Sequence, residues 1–503
     1  MSGASGQETG FDATRECFEQ AVTWLQGADA AALTHGELED HLAARGRELL
    51  RRMLQDHLSL RAVRETRLDA VVDVEQVAHR AVETGHRRRL VSIFGQLHVE
   101  RLAYRHAGHA NLHPTDAALN LPDECYSHGL RRLAAIEAAR GSFEEAAAGI
   151  GRATGQRVGK RQVEALTARA ASDVEAFYAT RAHPPGAPAD AGDVLVISAD
   201  GKGIVMRPDA LRPATAKAAA AATSKLKTRL SKGEKRNRKR LAEVGAVYDL
   251  KPVPRSPTDV FAGPISSGEK PPAPTATAKW LTAGVVEDAA QVLTRVFDEA
   301  QRRDPRHQRT WVALVDGNNH QIDRISAEAR ARHVDISIIV DFIHVLEYLW
   351  AAAWSFFAEG DPAAEAWVRD RALAVLCGHA RQVAAGIRRR ATAARLKTPR
   401  RKKADDCARY LLNKAAYLDY PTALRAGWPI ATGVIEGACR YLVADRMDIT
   451  GARWSLPGAE AVLKLRAVRA NDDFDAYWRF HLQQEHRRVH ASRYHNGVIP
   501  LAA

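Results

Sequence analysis

Val194-Leu195-Val196-Ile197-Ser198-Ala199-Asp200-Gly201 and Thr310-Trp311-Val312-Ala313-Leu314-Val315-Asp316-Gly317 decide how this chain is read. Each is an apolar run closing on an aspartate and a glycine. A short β-branched run bounded by turn residues predicts a buried strand. An aspartate at its end then sits where the strand leaves the core and meets water. Two such strands side by side would hold two carboxylates at one end of a sheet, an arrangement that grips divalent metal. Asp-Gly is equally a common hairpin turn, so neighbouring segments have to separate the two readings.

The composition is that of a folded protein with room for several domains: 503 residues, 46% hydrophobic and 26% charged. Aromatic residues are few while alanine, leucine and arginine abound, which predicts a largely helical chain. A net charge of +13 points to a polyanionic partner. Cys17, Cys125, Cys377, Cys407 and Cys439 are scattered and form no CxxC pair. That pattern argues for a reducing compartment and against a disulfide scaffold. Met1 to Gly10 lacks the apolar segment of a signal peptide, and the apolar run Tyr348 to Ala358 is too short to span a bilayer. A cytoplasmic protein without a membrane partner is expected.

Phe11 to about Arg88 reads as helical, with a capping box at Thr34-His35-Gly36-Glu37. Leu90 to Phe94 and Leu97 to Tyr104, separated by Gly95, read as a β-hairpin. His106, His109, His113, Cys125 and His128 follow. Nitrogen and sulfur donors at such spacing suit a structural zinc, with His106, His109 and Cys125 as the candidate ligands, although polar loop residues would give the same pattern. Ser142-Phe143-Glu144-Glu145 opens a helix that breaks near Gly149-Ile150-Gly151. A second helix carries Lys160-Arg161-Gln162, and the pair resembles a helix-turn-helix. Ala182 to Pro188 is a proline-rich linker.

After the first aspartate strand, Gly201-Lys202-Gly203 reads as a turn into an antiparallel strand, Ile204-Val205-Met206. A strongly basic stretch comes next: Lys217, Lys225, Lys227, Arg229, Lys232, Lys235, Arg236, Arg238, Lys239 and Arg240 against Glu234 alone. One-signed charge of this density suits phosphates better than a solvated helix face. Trp280 to Val286 is a further strand, Glu287 to Arg303 a helix, and Val334 to Asp341 another apolar run ending in aspartate. This order fits a mixed α/β sheet. Phe342 to Tyr420 reads as wholly helical, with a second cationic cluster from Arg388 to Lys403. Glu436 then lies in the small-residue segment Thr432 to Arg440. An unpaired carboxylate is costly to bury there. Either Arg440 one turn on pairs with it, or close packing on the sheet presents it to the two aspartates.

Ser198 to Lys202, Val315-Asp316-Gly317, Asp341 to Tyr348, and Thr432 to Arg440 continuing through Asp445-Arg446-Met447 to Gly451-Ala452-Arg453-Trp454 together resemble bacterial insertion-sequence transposases of the ISKra group. Mutator-like transposases are their relatives, and the similarity spans most of Pro114 to Trp478. The resemblance implies an α/β RNase H-like catalytic domain with a large helical insertion, preceded by a mostly α-helical N-terminal region with a small β-hairpin. Its implied divisions are a helical region 1–88, a hairpin and zinc-ribbon-like remnant 89–130, a helix-turn-helix-like DNA-binding segment 131–181 and a linker 182–192. The first part of the core follows at 193–341, with a basic insertion 207–278, then the helical insertion 342–426 and C-terminal core helices 427–503.

The resemblance further implies a DDE triad of Asp200, Asp316 and Glu436 that ligates two Mg²⁺ ions, for which Mn²⁺ would substitute. Such ions, about 3.5–4 Å apart, activate the attacking oxygen and stabilise the leaving one in an in-line displacement. Asp341 and His344 match an element that supports the active site, though His344 could equally pack in the core. Lys202, Lys225, Lys227, Arg236, Arg238, Lys239, Arg240, Arg440, Arg446, Arg453 and Trp454 are the expected DNA contacts. Trp454 either stacks on an unpaired base or is an ordinary packed residue. The implied partners are double-stranded DNA, as terminal inverted repeats and target, and further copies of the chain in a homodimer or larger assembly, at the bacterial nucleoid. Two other readings stay open: a DNA-binding protein without catalysis, such as a domesticated transposase or repressor, and an RNase H-like nuclease that cuts without strand transfer.

Overall fold

The computed structural model describes residues 10–181, 193–221, 238–261, 273–449 and 451–500. Contacts divide the chain into two units: Met1–Thr180 with Asp473–Ala503, and Arg181–Asp472. The division therefore falls at Asp473, inside the segment 427–503 that the sequence reading kept whole. Among the described residues no helix is long and apolar enough to cross a membrane.

The second unit is a mixed α/β body built on a five-stranded sheet. Its strands are β5 (Val194–Val205), β6 (Lys239–Leu250), β7 (Ala276–Gly284), β8 (Trp311–Val315) and β9 (Ile336–Val340), in the order β7-β6-β5-β8-β9. The pairs β5–β6 and β6–β7 are antiparallel, while β5–β8 and β8–β9 are parallel. Every residue of β8 is buried, as expected for a strand with neighbours on both edges and helices on its faces.

The expected turn at Gly201-Lys202-Gly203 does not form. β5 runs through it and pairs with β6 along its whole length, from Val194 opposite Leu250 to Val205 opposite Lys239. The glycines serve close cross-strand approach instead. A Cβ on Gly203 would lie 3.0 Å from Lys239 Cδ, and one on Gly201 3.2 Å from the Glu243 carboxylate. β6 begins inside the stretch read as a basic insertion, so Lys239 and Arg240 are sheet residues. Lys225, Lys227 and Arg236, like the linker 182–192, lie outside the described residues.

Asp288 caps the helix Ala289–Arg303 in a capping box with Gln291. This helix presses on the sheet so closely that a Cβ on Gly245 would stand 2.4 Å from Val296 Cγ2. At the open edge, the Asn471 side chain accepts from Leu281 N at 2.8 Å and donates to Leu281 O at 2.9 Å. It thereby satisfies backbone groups that an edge strand would otherwise expose. Between β9 and Gly427 the chain is helical: Phe342–Ala353, Pro362–Leu376, Ala380–Ala393, Arg400–Asn413 and Tyr420–Arg425.

The first unit begins with helices Asp12–Gln26 and His35–Arg64, the latter opened by the Thr34–Glu37 capping box. Helix does not continue to Arg88. The valine-rich run after Arg64 forms β1 (Val71–Val72), β2 (Ala78–His79) and the first arm of the hairpin β3 (Ala81–Val91) and β4 (Gln96–Arg105). Gln55 bonds the long helix to β4, donating to His98 O and accepting from His98 N.

Helices His128–Arg140, Phe143–Thr154 and Lys160–Ala170 pack around Leu130, Ala134, Ile150, Val163 and Leu166. The middle one is not broken at Gly149–Gly151. It ends at Gly155, whose φ of +71° closes it in the left-handed conformation. Helix Phe474–Glu485 returns to this unit through a buried network. Arg131, fully buried, pairs with Glu485 at 2.7 Å and Glu124 at 3.1 Å and donates to His481 Nε2. His481 Nδ1 meets Asp173 at 2.6 Å. Removing one member of a buried ionic network strands the others. Arg131→Met should therefore lower the stability of this unit by about 3–5 kcal/mol, measured by denaturant unfolding.

Candidate active site

The parallel register sets the geometry. Ser198 pairs with Leu314 and Val315 with Val340. Carried one or two residues further, the same register puts Asp200, Asp316 and Asp341 on one rung across β5, β8 and β9. The Asp341 amide still donates to Val315 O at 2.8 Å.

Asp341 is fully buried and most heavily bonded. One carboxylate oxygen caps helix Phe342–Ala353 at Ile343 N, 2.7 Å away. The other accepts from the Thr432 amide at 3.3 Å and from the Thr432 hydroxyl. That hydroxyl also lies 3.1 Å from Glu436 Oε1. A hydroxyl carries one proton and can donate to only one carboxylate at a time, so the second is left facing negative charge. Donor atoms of Asp341, His344 and Glu436 all lie within 4.8 Å of one another. Two oxygens and an imidazole nitrogen at that spacing can hold a divalent cation.

Asp200 and Asp316 are not members of that group. Asp200 is half-buried; it accepts from its neighbouring Gly201 amide at 2.7 Å and from Cys439 Sγ at 3.4 Å. Cys439 lies one turn beyond Glu436, so one helix touches both Asp200 and Asp341. Exposed Asp316 accepts from Asn318 N at 2.7 Å, while its carbonyl accepts from Tyr410 Oη at 3.4 Å. Gly317 follows at φ +92°, and a Cβ there would meet Tyr410 Oη at 3.0 Å. Buried Lys414 beside it donates to Asn319.

Glu436 itself is exposed, in the six-residue helix Gly433–Ala438 that continues as a π-helical turn, Cys439–Ala444. Arg440 does not pair with it but lies 3.8 Å from Asp445. His344 is not a core residue. Its ring is about one-third exposed and bonds Glu347 at 3.1 Å. Burial works against its charge, but the Glu347 hydrogen bond and the charges of Asp341, Glu347 and Asp316 outweigh it and raise the pKa.

Several expected DNA contacts are committed elsewhere. Arg240 donates to the carbonyls of Val285, Val286 and Ala210. Trp454 is buried, donates to Met447 O at 2.9 Å and carries the buried Arg446 guanidinium 4.7 Å from its ring centroid. It is therefore the packed residue, and neither side chain offers a surface to DNA. Lys202, Lys239, Arg440 and Arg453 are exposed, and Arg238 is half-buried.

Of the zinc candidates read from the sequence, His106 and His109 stand side by side with ring centroids 5.2 Å apart, and Cys125 lies elsewhere. Cys125 packs on the three-helix core, His113 bonds Leu102 O, and His128 bonds Asn120 O.

Sequence reasoning did not single out Thr432, Cys439, Tyr410, Lys414 or Glu243 as site residues. Glu243 sits opposite Gly201 on β6, where burial and the charge of Asp200 raise its pKa despite Arg324. A lone carboxylate in the otherwise apolar run Ala242 to Val247 was the available signal.

Thr432→Val removes the hydroxyl between two carboxylates and should cost about 1–3 kcal/mol in denaturant unfolding, with millimolar Mg²⁺ restoring part of the loss. The raised pKa of His344 means its charged form is favoured by folding. Its contribution is complete below the unfolded value of about 6.5 and is lost as pH rises through the folded value. In imidazole NMR titrations of metal-free protein, Glu347→Gln should lower the His344 midpoint.

No family model and no curated protein matches the chain. Among solved structures it is similar to the Drosophila P element transposase strand transfer complex, at 10% identity over 77% of this chain and 83% of that one, with a TM-score of 0.23.

Proposed function

We propose that this chain is a DNA transposase of the DDE type, in which Asp200, Asp316 and Glu436 serve cleavage of transposon ends and their transfer into target DNA. The sheet of the second unit is then an RNase H-like core. Three early antiparallel strands followed by two parallel ones support that reading. The observation that carries it is the convergence of Asp341, His344 and Glu436 at the sheet end where Asp200 and Asp316 also stand.

The donor set fits Mg²⁺, which takes oxygen ligands and keeps several of its waters, and the imidazole of His344 would suit Mn²⁺ as well. When bound, such ions polarise the scissile phosphodiester and activate the attacking water or 3′-hydroxyl. The chain's own residues do the rest. Thr432 stands between the two carboxylates, its hydroxyl bonded to Asp341 and 3.1 Å from Glu436 Oε1. His344, as a neutral imidazole, would complete the donor set of Asp341 and Glu436. Lys202, Lys239, Arg440 and Arg453 neutralise the DNA backbone, so binding weakens with salt. The exposed Lys160, Arg161 and Gln162 open a helix suited to end recognition. Because two transposon ends must be joined to one target, the working species is a homodimer or larger.

Asp316→Asn should abolish Mg²⁺-dependent cleavage of the element's own terminal repeats while leaving DNA binding in gel-shift assays within about twofold. Cleavage at the parental rate would overturn the assignment. Cleavage without strand transfer by the parent chain would make it a nuclease instead.

A further inference from the structure

The first unit holds a second group of metal-binding side chains, remote in sequence from the carboxylates above. Asp73 follows β1, His79 ends β2, and His109 lies in the loop after β4. Asp73 and His79 are buried, and His109 is about one-quarter exposed. Asp73 Oδ1 accepts the amides of Glu75 and Val77, both at 2.9 Å, which fixes the carboxylate plane. Oδ2 is thereby aimed at two imidazoles: His79 Nε2 at 2.9 Å and His109 Nδ1 at 3.0 Å.

The other ring nitrogen of His79 decides what that contact is. His79 Nδ1 lies 3.2 Å from the Tyr104 carbonyl oxygen, which only accepts, so Nδ1 carries a proton. In the neutral ring Nε2 is then a bare lone pair facing a carboxylate oxygen. Two acceptors at that distance need a shared proton or a cation between them. An imidazole whose far N–H is held by a backbone carbonyl, beside a carboxylate oriented by amides, is the outer shell of a metal-ligating histidine. A third ring stands close by: His106 lies 5.2 Å from His109 and 5.9 Å from His79, centroid to centroid. Its Nδ1 is 3.0 Å from Ala107 O, which leaves Nε2 available.

We propose that Asp73 Oδ2, His79 Nε2 and His109 Nδ1 bind one Zn²⁺ ion, with His106 Nε2 as the nearest further donor. Nitrogen and carboxylate donors favour Zn²⁺ over Mg²⁺ or Ca²⁺. Ligand atoms about 2.0–2.1 Å from a tetrahedral zinc stand about 3.3 Å apart. The two contacts need open by only a few tenths of an ångström. The ion would be structural, tying the β1–β2 ribbon to the loop beyond β4, and is independent of the carboxylates that carry the proposed catalysis.

The test is metal analysis of the full chain, purified without an affinity tag or chelator. About one zinc per chain is expected, with a tetrahedral visible spectrum when Co²⁺ replaces it. His109→Ala, at the most exposed ligand, should weaken zinc binding at least about tenfold in a competition titration while keeping the parental circular dichroism. Asp316→Asn should retain the zinc, so loss of catalysis and loss of this site are read separately. Absence of stoichiometric zinc together with no Co²⁺ spectrum from the metal-free chain would overturn the proposal. Unchanged affinity in both His109→Ala and His79→Gln would do so too.

Discussion

The in-phase parallel pairing of β5, β8 and β9 is the constraint from which the second unit takes its form. A parallel ladder fixes not only which strands are neighbours but which residues leave the core together. With Ser198 opposite Leu314 and Val315 opposite Val340, three apolar runs end in aspartate at the same level. A slip of one residue in either pairing would turn one of those side chains to the opposite face of the sheet. Each aspartate has its own donors there: a helix cap and a threonine at Asp341, a thiol at Asp200 and a backbone amide at Asp316.

The other half of the site comes from helices far along the chain. Tyr410 and Lys414 close over the loop after Asp316, and Tyr410 stacks on Tyr348 with ring centroids 3.9 Å apart. The helical segment between β9 and Glu436 is thus in contact with the site's loop. The helix bearing Glu436 passes into a π-helical turn within three residues. Such turns are uncommon and concentrate at functional positions. Its first residue, Cys439, is the one that reaches Asp200.

Strand β8 was legible because a buried parallel strand needs an unbroken apolar run, which Trp311–Val315 supplies, and β9 because Ile336–Val340 is apolar but for Ser337. β6 was not. It starts within a cationic stretch, and its apolar character emerges only from Ala242. Gly201 and Gly203 misled for a related reason: glycine marks a turn and a crowded cross-strand contact equally well. Asp200, Asp316, Asp341, His344 and Glu436 could be picked out as strand-end and helix acids. The hub role of Asp341 could not, because it depends on a hydroxyl from Thr432. Asp73 and His79 were hidden by reading the valine-rich segment after Arg64 as helix. Trp454 shows the reverse error: an aromatic beside arginines suggests nucleic acid, yet its indole N–H and its ring face are both satisfied internally.

The segments up to Thr180 and from Asp473 form one unit, and the sheet-bearing unit lies between them in sequence. During synthesis the ribosome delivers Asp173 long before the His481 and Arg488 that partner it, while Arg131 has Glu124 at hand before Glu485 appears. Asp173 stays hydrated while the sheet-bearing unit emerges. The buried ionic network of the first unit is therefore completed late in biogenesis.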